Sequence, residues 1–464
     1  MTDQSPPQLS FNRVAPIFAL TFVDVLGLTL ILPLLHLYAI AFGASPLEIG
    51  LTAAAFPLAQ LVGVPIMGAL SDRFGRKPLL LFSQITTCIS FVMLATANSL
   101  LMVILSRVFD GLFVVNLATA HSLLMVVLSR VFDELFGANL STAQAAISDV
   151  TTAENRARGL GITGAAFGLG FMLGPAISAI ALEFTDSLAI PAWIAAAYSA
   201  VSILLTLFAF EETLPPEKRG SAQGLRGFTG LALLRRSQIA FLIALMFAQQ
   251  VIFYGFETLL GLFALSRIGL LGQGIGIVFV FVGVVLVFAQ VRMIGRLTRR
   301  YGEAWVAKAA LLLLGAGLLL LAATPVEPHP FYVRQILENE IARLAPSGAE
   351  AVIGEIAVEI PQRISGGGIG GIAWLLLALT VIALGAGLIR PSLNSLLTQR
   401  VAATDYGAVL GLSAGAVSAA NAIAPLLGGL AFQGWGAAAP FLVGGVGMIV
   451  LAGLASGILR RGGA

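Results

Sequence analysis

The decapeptide GALSDRFGRK at residues 68–77 and the stretch GRLTRRYGEA at residues 295–304 decide how this chain folds. Each is a short charged segment between long apolar runs, and each falls between the second and third runs of its half of the sequence. A second pair of matches keeps the same order: Gly174-Pro175 in the first half corresponds to Ala424-Pro425 in the second, with Leu160-Gly161 and Leu410-Gly411 upstream. Two matches in register mark an internal repeat, and repeated sets of apolar runs are the sequence sign of a two-lobed membrane bundle.

Outward from these segments the apolar runs are spaced at membrane-spanning length. They fall near 14–39, 47–70, 78–97, 99–147, 158–182 and 188–210, then near 238–264, 272–293, 304–323, 371–390, 407–431 and 437–459. Runs of roughly 20 residues cross a ~30 Å hydrocarbon core as helices, because a helix satisfies its own backbone groups where water is absent. Composition agrees: of 464 residues only 11% are charged and 58% are hydrophobic, with a mean hydropathy of +0.96, whereas a soluble domain carries about 25% charged residues. The chain reads as an all-α polytopic membrane protein of two six-helix lobes, 1–210 and 237–464, joined by a charged linker at 211–236 that opens EETLPPEKRGS. A soluble enzyme is excluded, and so is nucleic-acid binding, since 26 basic residues against 23 acidic ones leave a small excess spread over short loops. The lone Cys88 can form no internal disulfide, and His36, His121 and His329 have no metal-ligand spacing, so neither metal nor cofactor is expected. The first ten residues, polar with two prolines, do not resemble a signal peptide.

Sorting Lys and Arg by alternating loops places 20 on one side, 4 on the other and 2 within spans. The positive-inside rule makes the richer side cytoplasmic, with both termini there and the chain in the cell (inner) membrane. The loop at 324–370 is then external, and it is acidic, with six Glu against three Arg. Within it Phe331–Leu344 has the pattern of an amphipathic helix, and Gly366-Gly367-Gly368 reads as a flexible return. A small cap is the plain reading of this loop, and a gate or docking element the sharper one.

The fourth run is too long because it holds a tandem repeat. Ser99–His121 (SLLMVILSRVFDGLFVVNLATAH) recurs as Ser122–Gln144 (SLLMVVLSRVFDELFGANLSTAQ), with 17 of 23 positions identical. Each copy makes ~35 Å of helix, enough to cross. The basic segments at 73–77 and 156–158 belong on one side, so an even number of crossings separates them, and one copy is expected not to cross independently.

The residues at 68–77 resemble the loop motif between helices 2 and 3 of the major facilitator superfamily, and the chain as a whole resembles that superfamily's drug/proton antiporters of the tetracycline-efflux type. The resemblance covers nearly the whole chain apart from the extra copy and the 324–370 loop. Gly68 permits close helix approach, while Asp72, Arg73, Gly75 and Arg76, with Asp149 as the partner of Arg76, would form a cytoplasmic gate holding the lobes together. Gly164, Gly168, Gly170, Gly174 and Pro175 resemble the antiporter motif on the fifth span, with Ser178 and Ala179 in place of its trailing glycines. On the first span, Asp24, Gly27 and Pro33 resemble the first-helix motif, with His36 replacing its second proline and expected at the outer rim.

A carboxylate at membrane depth costs about 2.5–3.5 kcal/mol on insertion scales, so Asp24 is expected to face a cavity and to take up a proton during the cycle. Arg107 and Arg130 occupy the same place in the two copies, each in Arg-Val-Phe-Asp, and the resemblance implies one arginine in helix 4 that tunes that carboxylate; Arg130 is favoured, being one membrane crossing from Asp149. Gln249, Gln250, Tyr254 and Glu257 on the seventh span, with Gln290, Asn394 and Asn421, are candidates for a substrate cavity or for helix-to-helix hydrogen bonds. The expectation is a monomeric, proton-coupled exporter of small amphipathic compounds. A symporter or uniporter of a metabolite is the alternative, and a non-transporting membrane protein a more remote one. No Walker-type phosphate loop is present in the sequence, so ATP is not expected to drive it.

Overall fold

The computed structural model describes residues 34–41, 44–74, 76–97, 99–112, 172–184, 189–209, 233–344, 360–401 and 406–459, with scattered residues of 22–31 and residues 170 and 187; for 60–73 the backbone alone is described. In the first half the helices are α1 (Leu35–Ala41), α2 (Pro46–Phe74), α3 (Arg76–Ala95), α4 (Leu100–Leu112), α5 (Met172–Phe184) and α6 (Ala189–Ala209). In the second they are α7 (Ser237–Ile268), α8 (Gly272–Phe288), α9 (Ile294–Tyr301), α10 (Glu303–Ala322), α11 (Arg334–Leu344), α12 (Gly370–Thr398), α13 (Tyr406–Trp435) and α14 (Ala439–Leu459). Among the described residues the only β pairing is an isolated bridge between Val333 and Ser365.

Helix ends follow local chemistry. At the start of α2, Ser45 and Glu48 form a capping box: the Glu48 carboxylate accepts from Ser45 N–H at 2.8 Å and Glu48 N–H donates to Ser45 Oγ at 3.4 Å, with Pro46 in the first helical position. At the other end of α2 the helix runs on through Ser71, Asp72 and Arg73 to Phe74, so most of the segment read as a loop is helical. Helix α7 stops at Gly269, whose φ of +74° only glycine adopts at no cost; its N–H donates to Leu265 O and that of Leu270 to Ala264 O. Between α8 and α9 the helix widens into a π turn at Ala289–Met293, where one extra residue is accommodated without breaking the rod.

The helices pack through small residues rather than by water-driven burial, as lipid-soluble helices must. A methyl group on Gly317 of α10 would lie 2.8 Å from Ile382 N of α12, and one on Gly385 of α12 would lie 2.8 Å from Ala310 O of α10. Gly315 and Gly445 bring α10 equally close to α14. Many large apolar side chains also point outward: Phe184 and Phe208 are each 85% exposed and Val291 80%. Seven of the described helices are long and apolar enough to cross a membrane. At 32 residues, α7 measures ~48 Å and extends past the hydrocarbon core.

The 324–370 loop contains the expected amphipathic helix as α11, but its glycine run is not slack. Tyr332 is 1% exposed and its hydroxyl donates to Pro361 O at 2.8 Å, while Gly366 N–H donates to Tyr332 O at 2.8 Å. Methyls on Gly367 and Gly368 would strike the Pro328 carbonyl and the Glu327 carboxylate. That carboxylate accepts the Gly371 N–H at 3.1 Å, a negative group at the positive end of α12. Glycine is needed here for close approach rather than flexibility, because the strand of chain leading into α12 lies directly on the strand leaving α10.

Candidate transport pathway: two polar centres and a closed seam

The first polar centre lies within the first lobe. Arg107 and Asp110, three apart on α4, are each 3% exposed and paired at 3.3 Å (Nη1 to Oδ2). From α3, Thr87 Oγ1 donates to Asp110 Oδ1 at 2.8 Å and Ser90 Oγ accepts from Arg107 Nη2 at 2.9 Å, while the guanidinium lies 5.4 Å from the Phe91 ring centroid. Tyr38 of α1 is within electrostatic reach of Arg107. The first copy of the duplicated segment thus supplies the helix that packs on α2 and α3. Arg130, favoured from the sequence, and all of the second copy lie outside the described residues.

The second polar centre lies in the second lobe. Gln249 and Gln250 of α7 are buried, and Gln250 Nε2 donates to Asn421 Oδ1 of α13 at 2.8 Å. Tyr254 and Glu257 lie on the same helix, half-buried, with Glu257 in electrostatic reach of Arg390 on α12. Gln290 sits in the π turn, where Gly387 of α12 approaches it. Asn394 is one turn past Arg390, its Oδ1 buried. Five of the seven candidate residues thus come from α7 and the π turn, Asn394 comes from α12, and Asn421 reaches Gln250 from α13.

Between the lobes the helix ends on the side of the 324–370 loop are in direct contact. A methyl on Gly50 of α2 would collide with Pro425 O of α13, and one on Gly429 would lie 2.6 Å from Pro46 O. Gly276 of α8 approaches Pro175 O of α5 to within 2.9 Å of where its Cβ would lie, and Gln273 Nε2 donates to the Glu183 carboxylate. His36 fits against Gly261 of α7 and is 5% exposed, so it lies in this seam and not at the rim. The antiporter-motif residues hold both sides of α5: Gly170 O accepts from Thr29 Oγ1 at 2.9 Å, Gly174 and Ser178 lie against Thr29 and Leu30, and Pro175 faces α8.

Other candidates are only partly placed. Gly68, Asp72 and Arg73 lie in the last turns of α2 and Arg76 opens α3, their side chains being outside the described residues. Asp24, Gly75 and Asp149 lie outside them altogether. Among the described residues no group of three or more His, Cys, Asp or Glu could hold a metal ion.

The family model of the Major Facilitator Superfamily matches residues 17–120 and 111–337. The chain belongs to this superfamily. The two matches overlap at 111–120, in the first copy of the tandem repeat. Tetracycline resistance protein, class B, of Escherichia coli is 25% identical over 415 residues, 88% of this chain and 85% of that protein. Multidrug resistance protein 1 of Bacillus subtilis is 24% identical over 415 residues, 89% of this chain and 87% of that one. Among solved structures, the human organic anion transporter MFSD10 (TETRAN) superposes with a TM-score of 0.62 at 24% identity, covering 97% of this chain and 100% of that one. The nucleoside transporter NupG (D323A mutant) gives 0.70 at 13%, covering 96% and 99%.

As a superfamily member the protein is a multi-pass membrane transporter, and its polar centres contain residues that sequence patterning passed over. Asp110, Thr87 and Ser90 complete the setting of Arg107; the signal was the Asp three residues after an arginine on a helix with no other charge. The expected span ends at Arg390, yet α12 continues through Arg390 and Pro391 to Thr398. An arginine inside a long apolar helix, facing a helix with a glutamate, was the available signal.

Proposed function

We propose that this transporter exports small amphipathic compounds in exchange for protons, by alternating exposure of a central site to the two sides of the membrane. The observation that carries the reading is the similarity to a tetracycline resistance protein along 88% of the chain. In this reading the polar centre around Gln250, Asn421 and Glu257 takes the compound. Asp24 takes the proton from outside, with Arg107 or Arg130 as the fixed charge that changes its proton affinity. Asp72, Arg73, Arg76 and Asp149 close the cytoplasmic side, and the linker at 211–236 joins the lobes 1–210 and 237–464 there. The distribution of basic residues supports a cytoplasmic placement of both termini in the inner membrane, and the single chain forms both halves of the pathway as a monomer.

The test uses inverted membrane vesicles with an acidified interior and a pH-sensitive dye, to which tetracycline and a panel of lipophilic cations are added. Proton release on addition of a compound, lost in Asp24→Asn at equal membrane abundance, is the expected result. Retained release in that variant overturns the role of Asp24, and no response to any compound from inserted, folded protein overturns the exchange reading.

A further inference from the structure

We propose that His36 is a proton-binding group of the outer seam, and that its charge state decides whether the two lobes close over it. His36 belongs to α1 of the first lobe, and its imidazole occupies a notch on α7 of the second that exists only because residue 261 is glycine: a Cβ there would collide with Cε1, Nε2 and Nδ1 of the ring. The side chain is 5% exposed, and Nε2 has no hydrogen-bond partner among the described residues. A neutral ring can leave one nitrogen unsatisfied in a tight apolar contact. An imidazolium carries two N–H donors and a full charge, and it needs an acceptor that the described residues around this notch do not offer to Nε2.

The charged and titratable side chains described on the elements packed on α1 are engaged elsewhere, while those of Asp72 and Arg73 on α2 and of Glu340 and Arg343 on α11 lie outside the described residues. On α1 itself Tyr38 interacts with Arg107. On α2, Glu48 is held by Ser45. On α4, Arg107 and Asp110 pair with each other. On α7, Glu257 lies one turn before Gly261 and interacts with Arg390, while Arg267 lies over the Phe263 ring. On α11, Arg334 binds Glu338. Further along the seam Glu183 accepts from Gln273, and in the outer loop His329 stacks edge-on against Tyr332. Separation of the lobes withdraws the ring from Gly261 and wets Nε2, so proton uptake and closure exclude each other. The sign follows: acid on the outer face favours the open seam, and closure requires that His36 first give up its proton.

This inference rests on the movement of the lobes but not on which compound is carried or on proton-driven exchange, so its test reads distance rather than transport. Spin labels replace Phe184 and Val326, exposed positions on either side of the outer seam, in a Cys88→Ala background of the full chain in lipid nanodiscs. Pulsed dipolar distances are measured from pH 8 to pH 5. The expected result is a growing population at longer distance as pH falls through about 6.5, the ordinary histidine value, and a pH-independent short distance in His36→Gln. Gly261→Ala is expected to hold the longer distance at every pH, because its methyl takes the place of the ring, and His36→Ala combined with Gly261→Ala returns the short one. A wild-type distance that ignores pH, or a His36→Gln protein that opens with acid as the wild type does, overturns the proposal. A Gly261→Ala protein as closed as the wild type overturns it as well, and this outcome is readable even if His36→Gln does not fold.

Discussion

The two polar centres differ in what their charges are spent on. In the first lobe Arg107 and Asp110 face each other and two hydroxyl groups of α3 in a site of 3% exposure, so every strong group is committed inside one lobe. In the second lobe an amide pair, Gln250 with Asn421, bridges α7 and α13, and the charged residues Glu257 and Arg390, in electrostatic reach of each other, come from separate helices. A buried ion pair is costly to disturb because each partner strands the other, whereas an amide can exchange one partner for another at little cost. The first arrangement is the costlier of the two to rearrange.

The largest effect expected from breaking this contrast is Asp110→Ala, which leaves Arg107 unpaired in a buried site and costs about 3–5 kcal/mol. Thermal unfolding of the detergent-solubilised protein should show it as a steep loss of stability. Arg107→Leu combined with Asp110→Leu should be much milder, and equal damage in both variants would mean that the pair is not a closed unit. Next comes Gly174→Val on α5, where the added side chain meets Thr29 and Leu30 of the first span; overpacking of this kind costs about 1–3 kcal/mol, read as a lowered unfolding midpoint. Smaller again is the coupling between Gln250 and Asn421. A double-mutant cycle with leucine at each position should give about 0.6 kcal/mol, as is usual between membrane helices, together with a changed apparent affinity for the transported compound. A coupling of several kcal/mol would make the second centre as rigid as the first.

The smallest effect concerns the 324–370 loop, docked on Gly269 at the end of α7. Burial holds the His329 imidazole below its ordinary value, against an opposing hydrogen bond with the Gly269 backbone. The docked loop therefore binds fewer protons than an undocked one. Its docking is at full strength above about pH 6.5 and weakens as pH falls below that value. Hydrogen exchange of α11 should rise modestly on acidification in the wild type and stay level in His329→Gln.

Helix positions were legible because an apolar run of membrane length has one structural outcome, and α6, α7, α10 and α14 begin and end within a few residues of the expected limits. Helices α2 and α12, and the continuous rod of α8, the π turn and α9, run further because helical geometry continues past the hydrocarbon boundary into charged sequence, through Asp72, Arg390 and Arg300, where hydropathy stops being informative. The candidate residues on α7 were legible from helical spacing, since polar side chains in an apolar helix turn inward. The partners were not: nothing in the spacing of Asp110 and Thr87, 23 positions apart, or of Gln250 and Asn421, 171 apart, announces their contact. The glycine run at 366–368 misled because composition reports glycine's freedom but not the carbonyl and carboxylate that press on it.

The amino-acid sequence by itself determined the membrane class, the two-lobed repeat and the superfamily, because each rests on local apolarity or on short motifs that need no partner. The tertiary structure alone decided that the first copy of the duplicated segment supplies a packed helix, that Arg107 is paired within its lobe, and that His36 and Gly261 meet across the seam. Those contacts join helices far apart in the chain, and their register depends on small residues and close approach, which only the assembled bundle defines.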